Sequence, residues 1–241
     1  MFSDLTLQPH NSNVVQMKPV GLSALSSAFQ WRACDKLNPG EALFYEGDPA
    51  KDVFEVTEGV LRAVKLIADG RRVITSFYFP GDVIGISFRH NYLLTAEAVT
   101  AVKVRRCPRA QVQMNMSDNK ELRPIIFARL CEEMAVAQNH MVLLARTSAE
   151  ERLCSFLLML ARRKNGLRQA VTKIDLPMGR QDIADFLGLT IETVSRNFTR
   201  LTVSGVITPL GRHCFKLRMD KLVLLAGDCD MELDDTIAHV G

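Results

Sequence analysis

The chain has 241 residues, is 47% hydrophobic and carries a formal net charge of +3. That apolar share fills one large or two modest cores and excludes a disordered chain. No segment approaches ~20 continuous apolar residues and residues 1–16 hold no leader-like apolar run, so the expectation is a cytoplasmic protein with no membrane partner.

Residues 1–20 mix Ser, Asn, Gln and Pro without periodicity and read as an N-terminal arm. A short helical stretch is expected over residues 22–34. From residue 37 to 108 turn signals recur at close spacing: Asn38-Pro39-Gly40, Glu46-Gly47-Asp48-Pro49, Glu58-Gly59, Ala68-Asp69-Gly70-Arg71 and Pro80-Gly81-Asp82. Short runs rich in Val, Phe, Ile and Tyr lie between them. This pattern predicts an antiparallel β-roll over residues 21–118. Its clearest hairpin turns at Asp69-Gly70, between residues 60–67 and 73–79.

Helical periodicity begins near residue 117. Leu122, Ile126, Leu130, Met134, Ala137, Met141, Leu144 and Ser148 follow one another at spacings of 4, 4, 4, 3, 4, 3 and 4. They form one apolar stripe on a helix spanning residues 119–148, nearer a coiled-coil seam than a surface helix. The stripe is expected to face a second copy of the chain, although a core helix of a single globule shows the same pattern. A cap at Thr147-Ser148-Ala149-Glu150 opens a second helix over residues 151–163, with Leu153, Phe156, Leu157 and Leu160 on its apolar face. A strand is expected over residues 171–176.

Residues 179–206 have the spacing of a helix-turn-helix. Ala184 is small where two helices must approach, Gly188 supplies a turn residue tolerant of positive φ, and Val194 packs back into the crossing. Thr190 is a suitable N-cap, Glu192 suits the first turn, and Gly205 stops the second helix. Residues 206–208 and 214–217 predict a two-stranded wing. The charge distribution agrees. Residues 162–218 hold eleven Lys/Arg against four Asp/Glu, whereas residues 219–241 hold one lysine against six acids. A basic block followed by an acidic tail (residues 226–241) is the footprint of a polyanion-binding module over residues 149–225.

A helix entering the major groove presents its N-terminal residues to the base edges. Here these are Ile191, Glu192, Ser195 and Arg196. Arg196 suits guanine O6 and N7, Glu192 suits a cytosine amino group or the Arg196 guanidinium, and Ile191 suits a thymine methyl. Arg180, Gln181, Thr190, Asn197, Thr199, Arg200 and Arg212 are assigned to phosphates, which give affinity rather than sequence information.

The run from Leu187 to Arg196, the run Ala149-Glu150-Glu151-Arg152-Leu153 and the turn Gly81-Asp82-Val83-Ile84-Gly85 resemble the Fnr/FixK branch of the cyclic-AMP receptor protein superfamily. The resemblance covers roughly residues 21–220. It implies an α+β chain: an N-terminal cyclic-nucleotide-binding-like β-roll, a long dimerisation helix and a C-terminal winged helix-turn-helix. It also implies a homodimeric activator of RNA polymerase that reads a TTGAT-type inverted repeat in double-stranded DNA and controls low-oxygen, respiratory or nitrogen-fixation genes. Cyclic-AMP receptors carry an arginine before the glutamate and a glycine before the last arginine, where this chain has Ile191 and Ser195.

The departures from the family narrow the expectation. The family's phosphate-binding arginine falls where this chain has Leu94, before Thr95-Ala96, so no cyclic nucleotide is expected; Arg89 and His90 lie nearby. The six cysteines (Cys34, Cys107, Cys131, Cys154, Cys214 and Cys229) include no C-x-x-C pair and no N-terminal cluster, so no iron–sulfur cofactor and no metal are expected. Residues 134–144 carry no acid, which fits a dimer that forms without an effector. Three alternatives stay open: nitric-oxide sensing through haem, redox control through Cys214 beside His213 and Lys216, and a β-barrel enzyme or ligand-binding module. Cys34, Cys107, Cys131 and Cys154 are expected in the core or on the dimer helix.

Overall fold

The structure is a computed structural model, and it describes residues 34–86, 89–118, 120, 122–146, 148–165 and 171–227. The N-terminal arm, the short helix expected before residue 34 and most of the acidic tail lie outside the described residues.

Among the described residues of the N-terminal part there are eight strands: β1 (Cys34–Leu37), β2 (Ala42–Phe44), β3 (Asp52–Glu58), β4 (Leu61–Leu66), β5 (Arg72–Tyr78), β6 (Val83–Ile84), β7 (Thr95–Ala98) and β8 (Val102–Pro108). They form two antiparallel four-stranded sheets, ordered β1-β8-β3-β6 and β2-β7-β4-β5. The expected hairpin is β4–β5, with Gly70 at φ +83° in its turn. Alternate residues of both sheets meet in an interior filled by Phe44, Phe54, Val56, Leu61, Tyr92, Ala96 and Val104. Phe44 stacks on Tyr92 with ring centroids 3.8 Å apart, and on Phe54 at 5.9 Å. The Tyr92 hydroxyl donates to the Asp52 carbonyl at 2.7 Å, which satisfies its one polar atom within this apolar packing. Gly85, at φ +89°, sits against the same rings: a Cβ there would lie 3.3 Å from Tyr92 and 3.1 Å from the Asp52 carbonyl.

Four helices follow in the order α1 (Arg109–Asp118), α2 (Leu122–Ala145), α3 (Ala149–Asn165) and, after β9 (Val171–Asp175), α4 (Arg180–Leu187). The described elements end with α5 (Ile191–Val203), β10 (Ile207–Pro209), β11 (Cys214–Arg218) and α6 (Met219–Leu225). Helix α1 was absent from the sequence expectation, because its residues are mostly polar and show no apolar stripe. The expected long helix is correspondingly shorter, at 24 residues. Ser148 caps α3 by accepting from the Glu151 amide at 3.0 Å, as its position in the sequence suggests. No helix among the described residues is long and apolar enough to cross a membrane.

The stripe on α2 needs correction. Leu122 and Ile126 are buried within their own chain, and Ile126 packs with Val53, Val83, Cys107 and Val112 while Leu130 leans on the same cluster. Ile126 thereby anchors this end of α2 to the β-roll, and Leu122 and Ile126 are both covered by their own chain. The exposed apolar residues are Phe127 (68% exposed), Met134 (57%) and Met141 (63%), with Ala137 and Leu144 also exposed. Together with Leu130 these repeat at spacings of 3, 4, 3, 4 and 3, which is a heptad seam. Phe127 lies outside the stripe read from the sequence.

Helix α2 also carries Glu133, half-buried near Arg129, Asp82 and Tyr78; removal from water pushes its carboxyl up to about 7, the Asp82 charge adds to the rise, and Arg129 opposes it. Burial likewise raises the Tyr78 phenol well above its ordinary value. An acid with a raised folded-state pKa binds more protons folded than unfolded. Its contribution to stability is therefore present below the ordinary carboxylate range and lost as pH climbs to about 7. Glu133→Gln should flatten this part of the pH profile, by roughly 1 kcal/mol per pH unit crossed, in urea midpoints measured for both proteins from pH 4.5 to 8. Parallel profiles would contradict the assignment.

Candidate nucleic-acid interface

The helix-turn-helix owes its shape to local chemistry. Ala184 is fully buried in α4, Gly188 terminates that helix at φ +63°, and the Leu189 amide reaches back to the Ala184 carbonyl at 3.0 Å. Thr190 then caps α5, its Oγ1 accepting from the Thr193 amide at 3.2 Å. Val194, Phe198 and Leu201 form the buried face of α5, and Gly205 at φ +67° leads out of the helix. Strands β10, β11 and β9 make the antiparallel wing sheet, in that order.

The opposite face of α5 is open. Ile191, Glu192, Ser195 and Arg196 are all exposed, so the four residues assigned to base edges share one surface at the helix N-terminus. Hydrogen bonding from its own backbone amide, then from Thr190, holds the Glu192 carboxyl below its ordinary range, and the Arg196 charge adds a smaller effect in the same direction. Glu192 therefore stays an acceptor at neutral pH.

The residues assigned to phosphates divide. Gln181 is exposed and donates to Asp185 at 2.6 Å; Thr199 is exposed and donates to the Ser195 carbonyl at 3.2 Å; Arg212 is exposed on the wing. Arg200 is exposed and lies 3.4 Å from Glu150 of α3. Thr190 is committed to the cap. Asn197 is half-buried, with its amide donating to the Thr193 carbonyl at 2.9 Å, which removes it from the outward face. Arg180 also departs from the expectation. Its guanidinium lies 3.4 Å from the centre of the Phe198 ring and 5.5 Å from that of Phe215, and burial lowers its pKa. Its side chain joins α4, α5 and the wing. Beside it runs an open groove of about 430 Å³, lined by Ser195, Phe198, Thr202, Val203 and Pro209.

The cysteines fall as follows. Cys107 and Cys154 are buried, and burial pushes the Cys154 thiol up to about 12. Cys131 is half-buried on α2. Cys34 is exposed at the start of β1 rather than in the core. Cys214 is half-buried in the wing and pairs across the sheet with Asp175, so its setting is less basic than His213 and Lys216 suggest. Among the described residues no three His, Cys, Asp or Glu side chains gather as metal ligands.

A β-roll, a long helix with an exposed heptad seam and a winged helix-turn-helix with an open basic face define a DNA-binding transcription regulator. Comparison with known proteins gives the family. Residues 151–225 match the model of the Crp-like helix-turn-helix domain, and residues 34–119 that of the cyclic nucleotide-binding domain. The chain is 44% identical over 170 residues to the nitrogen fixation regulation protein FixK of Bradyrhizobium diazoefficiens, covering 70% of this chain and 71% of that protein. It is 42% identical over 170 residues to the transcriptional activatory protein AadR of Rhodopseudomonas palustris, covering 69% and 70%. The solved structure of FixK2 from Bradyrhizobium japonicum superposes with a TM-score of 0.74 at 34% identity, covering 80% of this chain and 96% of that one. The chain belongs to the Crp/Fnr family and is FixK-like within it.

Proposed function

We propose that this regulator works as a homodimeric transcription activator in the cytoplasm, reading a TTGAT-type inverted repeat with one α5 helix per half-site and engaging RNA polymerase from the bound site. The observation that carries the reading is the exposed face of Ile191, Glu192, Ser195 and Arg196 at the capped N-terminus of α5. The relatives named for nitrogen fixation regulation and for activation support control of low-oxygen or nitrogen-fixation genes. They are regulators, which supports a regulatory rather than an enzymatic role. The dimer reading is supported by the solvent-facing seam of Phe127, Met134 and Met141.

Activity without a cyclic nucleotide is part of the proposal. Phe44, Phe54 and Tyr92 fill the interior of the β-roll, and Leu94 stands where the family's phosphate arginine falls. The test is selection of bound sequences from random duplexes by the purified full-length protein, with no nucleotide added. The expected result is enrichment of TTGAT and its inverted complement. Enrichment only after adding cyclic AMP, or a haem absorption band in the active protein, would overturn the effector-free reading.

Self-association has its own test. Met141→Glu places a carboxylate on each side of a twofold seam. An unpaired buried charge costs about 3–5 kcal/mol, so the dimer should weaken by roughly a hundredfold or more. Sedimentation velocity across a concentration series reads this directly. A variant that sediments like the parent would move the interface away from α2.

A further inference from the structure

The outer face of the β2-β7-β4-β5 sheet carries three charged residues from three strands: Arg62 of β4, Arg72 of β5 and Glu97 of β7. They meet two carboxylates of α4, the first helix of the helix-turn-helix. Arg62 donates through Nη1 to Asp182 Oδ1 at 2.8 Å, and through Nε and Nη2 to Glu97 Oε2 at 2.9 and 2.8 Å. Arg72 donates through Nη2 to the same Asp182 oxygen at 2.9 Å and through Nε to Asp185 Oδ2 at 2.8 Å. The Asp182 side chain is only 10% exposed. Two guanidiniums and three carboxylates thus form one connected, partly desolvated network between segments more than 100 residues apart in the chain.

The network has an apolar floor. Phe186 of α4 lies 5.3 Å from Phe77 of β5 and 5.4 Å from Phe156 of α3, centre to centre. The His140 ring of α2 stacks flat on Phe186 at 4.1 Å and 3°, and its Nε2 donates to the Phe186 carbonyl at 2.8 Å. Helix α4 is therefore held by the sheet on one side and by the helix bearing the heptad seam on another. Since α4 and α5 are joined by a three-residue turn, fixing α4 fixes α5.

We propose that Arg62, Arg72, Glu97, Asp182 and Asp185 are positioning residues for DNA reading: they latch the helix-turn-helix to the β-roll and thereby set the half-site separation the dimer accepts. This rests on the dimer reading above. Two reading helices span a palindrome only at the distance their supports dictate, so a rigid support makes binding depend sharply on spacer length. Directional, charge-assisted hydrogen bonds suit this role, because they fix orientation as apolar contact alone does not. Arg72 reaches both α4 carboxylates and is the residue whose removal frees the helix most.

The test measures affinity of the full-length protein for palindromes whose spacer runs from two base pairs shorter to two longer than the preferred one, and for a single half-site. The wild type, Arg72→Glu and the charge-exchanged Arg72→Glu/Asp185→Arg pair are compared, each checked for self-association by sedimentation. The wild type should show one sharp spacer optimum. Arg72→Glu should lose at least about tenfold at that optimum and bind all spacers within about threefold of one another. Its single half-site affinity should not change, and the exchanged pair should regain the optimum. A dimeric Arg72→Glu with the wild-type spacer profile overturns the latch, as does a flattened profile that the exchanged pair does not restore. A wild type that is monomeric and indifferent to spacing overturns the dimer reading, and this role with it.

Discussion

Replacing Phe186 by alanine should cost the folded protein about 3–5 kcal/mol, the range for truncating a large buried aromatic side chain. Phe186 is 4% exposed and is touched by three rings from three different elements: Phe77 from the β-roll, His140 from α2 and Phe156 from α3. Each such aromatic contact adds roughly 0.5–1.5 kcal/mol beyond simple burial. The cavity left behind cannot collapse easily, since its walls belong to elements fixed elsewhere. In a chain of this size the cost corresponds to a fall in Tm on the order of 10 °C. The same substitution bears on cooperativity. Val60, Val64, Ile74 and Phe77 of the β-roll share one buried cluster with the core of the winged helix, so the wild type should melt in a single transition. Phe186→Ala should weaken that coupling, and differential scanning calorimetry should show an earlier shoulder from the DNA-binding part. A cost below about 1 kcal/mol would mean that the two parts do not share a core.

What the sequence disclosed and what it hid follow from the range of the interactions. The helix-turn-helix was legible because its determinants lie within about twenty-five residues: the Thr190 cap, the Gly188 turn, the Ala184 and Val194 contact and the Gly205 stop are each short-range requirements of backbone geometry. The β4–β5 hairpin was legible for the same reason. The α2 stripe was legible as a stripe, but not as two surfaces. A run of apolar residues at helical spacing does not reveal which of its members its own β-roll covers. Ile126 is covered by Val53, Val83 and Cys107 and Leu130 leans on the same cluster, whereas Phe127 between them is exposed. The charged network of Arg62, Arg72 and Asp182 was hidden outright, since its members look like ordinary solvated residues until the fold brings them together. For Arg180 and Asn197 the sequence did not show which contacts their side chains make within the chain. Their positions suit phosphate contacts, and within the chain a ring lies beneath Arg180 and a carbonyl one turn back accepts from Asn197.

Arg196→Ala should change what the protein reads rather than how tightly it holds DNA in general. Arg196 is exposed on the face of α5 that also presents Ile191, Glu192 and Ser195, and the held-down Glu192 carboxyl stays charged at neutral pH. A planar guanidinium matches the paired acceptors on guanine, so it supplies discrimination. Its loss should cost about 1–3 kcal/mol at the TTGAT palindrome, roughly five- to 150-fold per contact, and far less on unrelated duplex. In the proposed dimer two copies act, so the effect on the full palindrome compounds. Arg200 supplies the contrast. It lies one turn further along α5, exposed and 3.4 Å from Glu150, and is the arginine proposed to meet a backbone phosphate. Arg200→Ala should weaken all sequences alike and lower the slope of log affinity against log salt by about one per contact removed. Competition anisotropy with specific and scrambled duplexes, repeated at several salt concentrations, separates the two. If Arg196→Ala lowered both affinities equally, Arg196 would be a phosphate contact and the assignment of the reading face would be wrong.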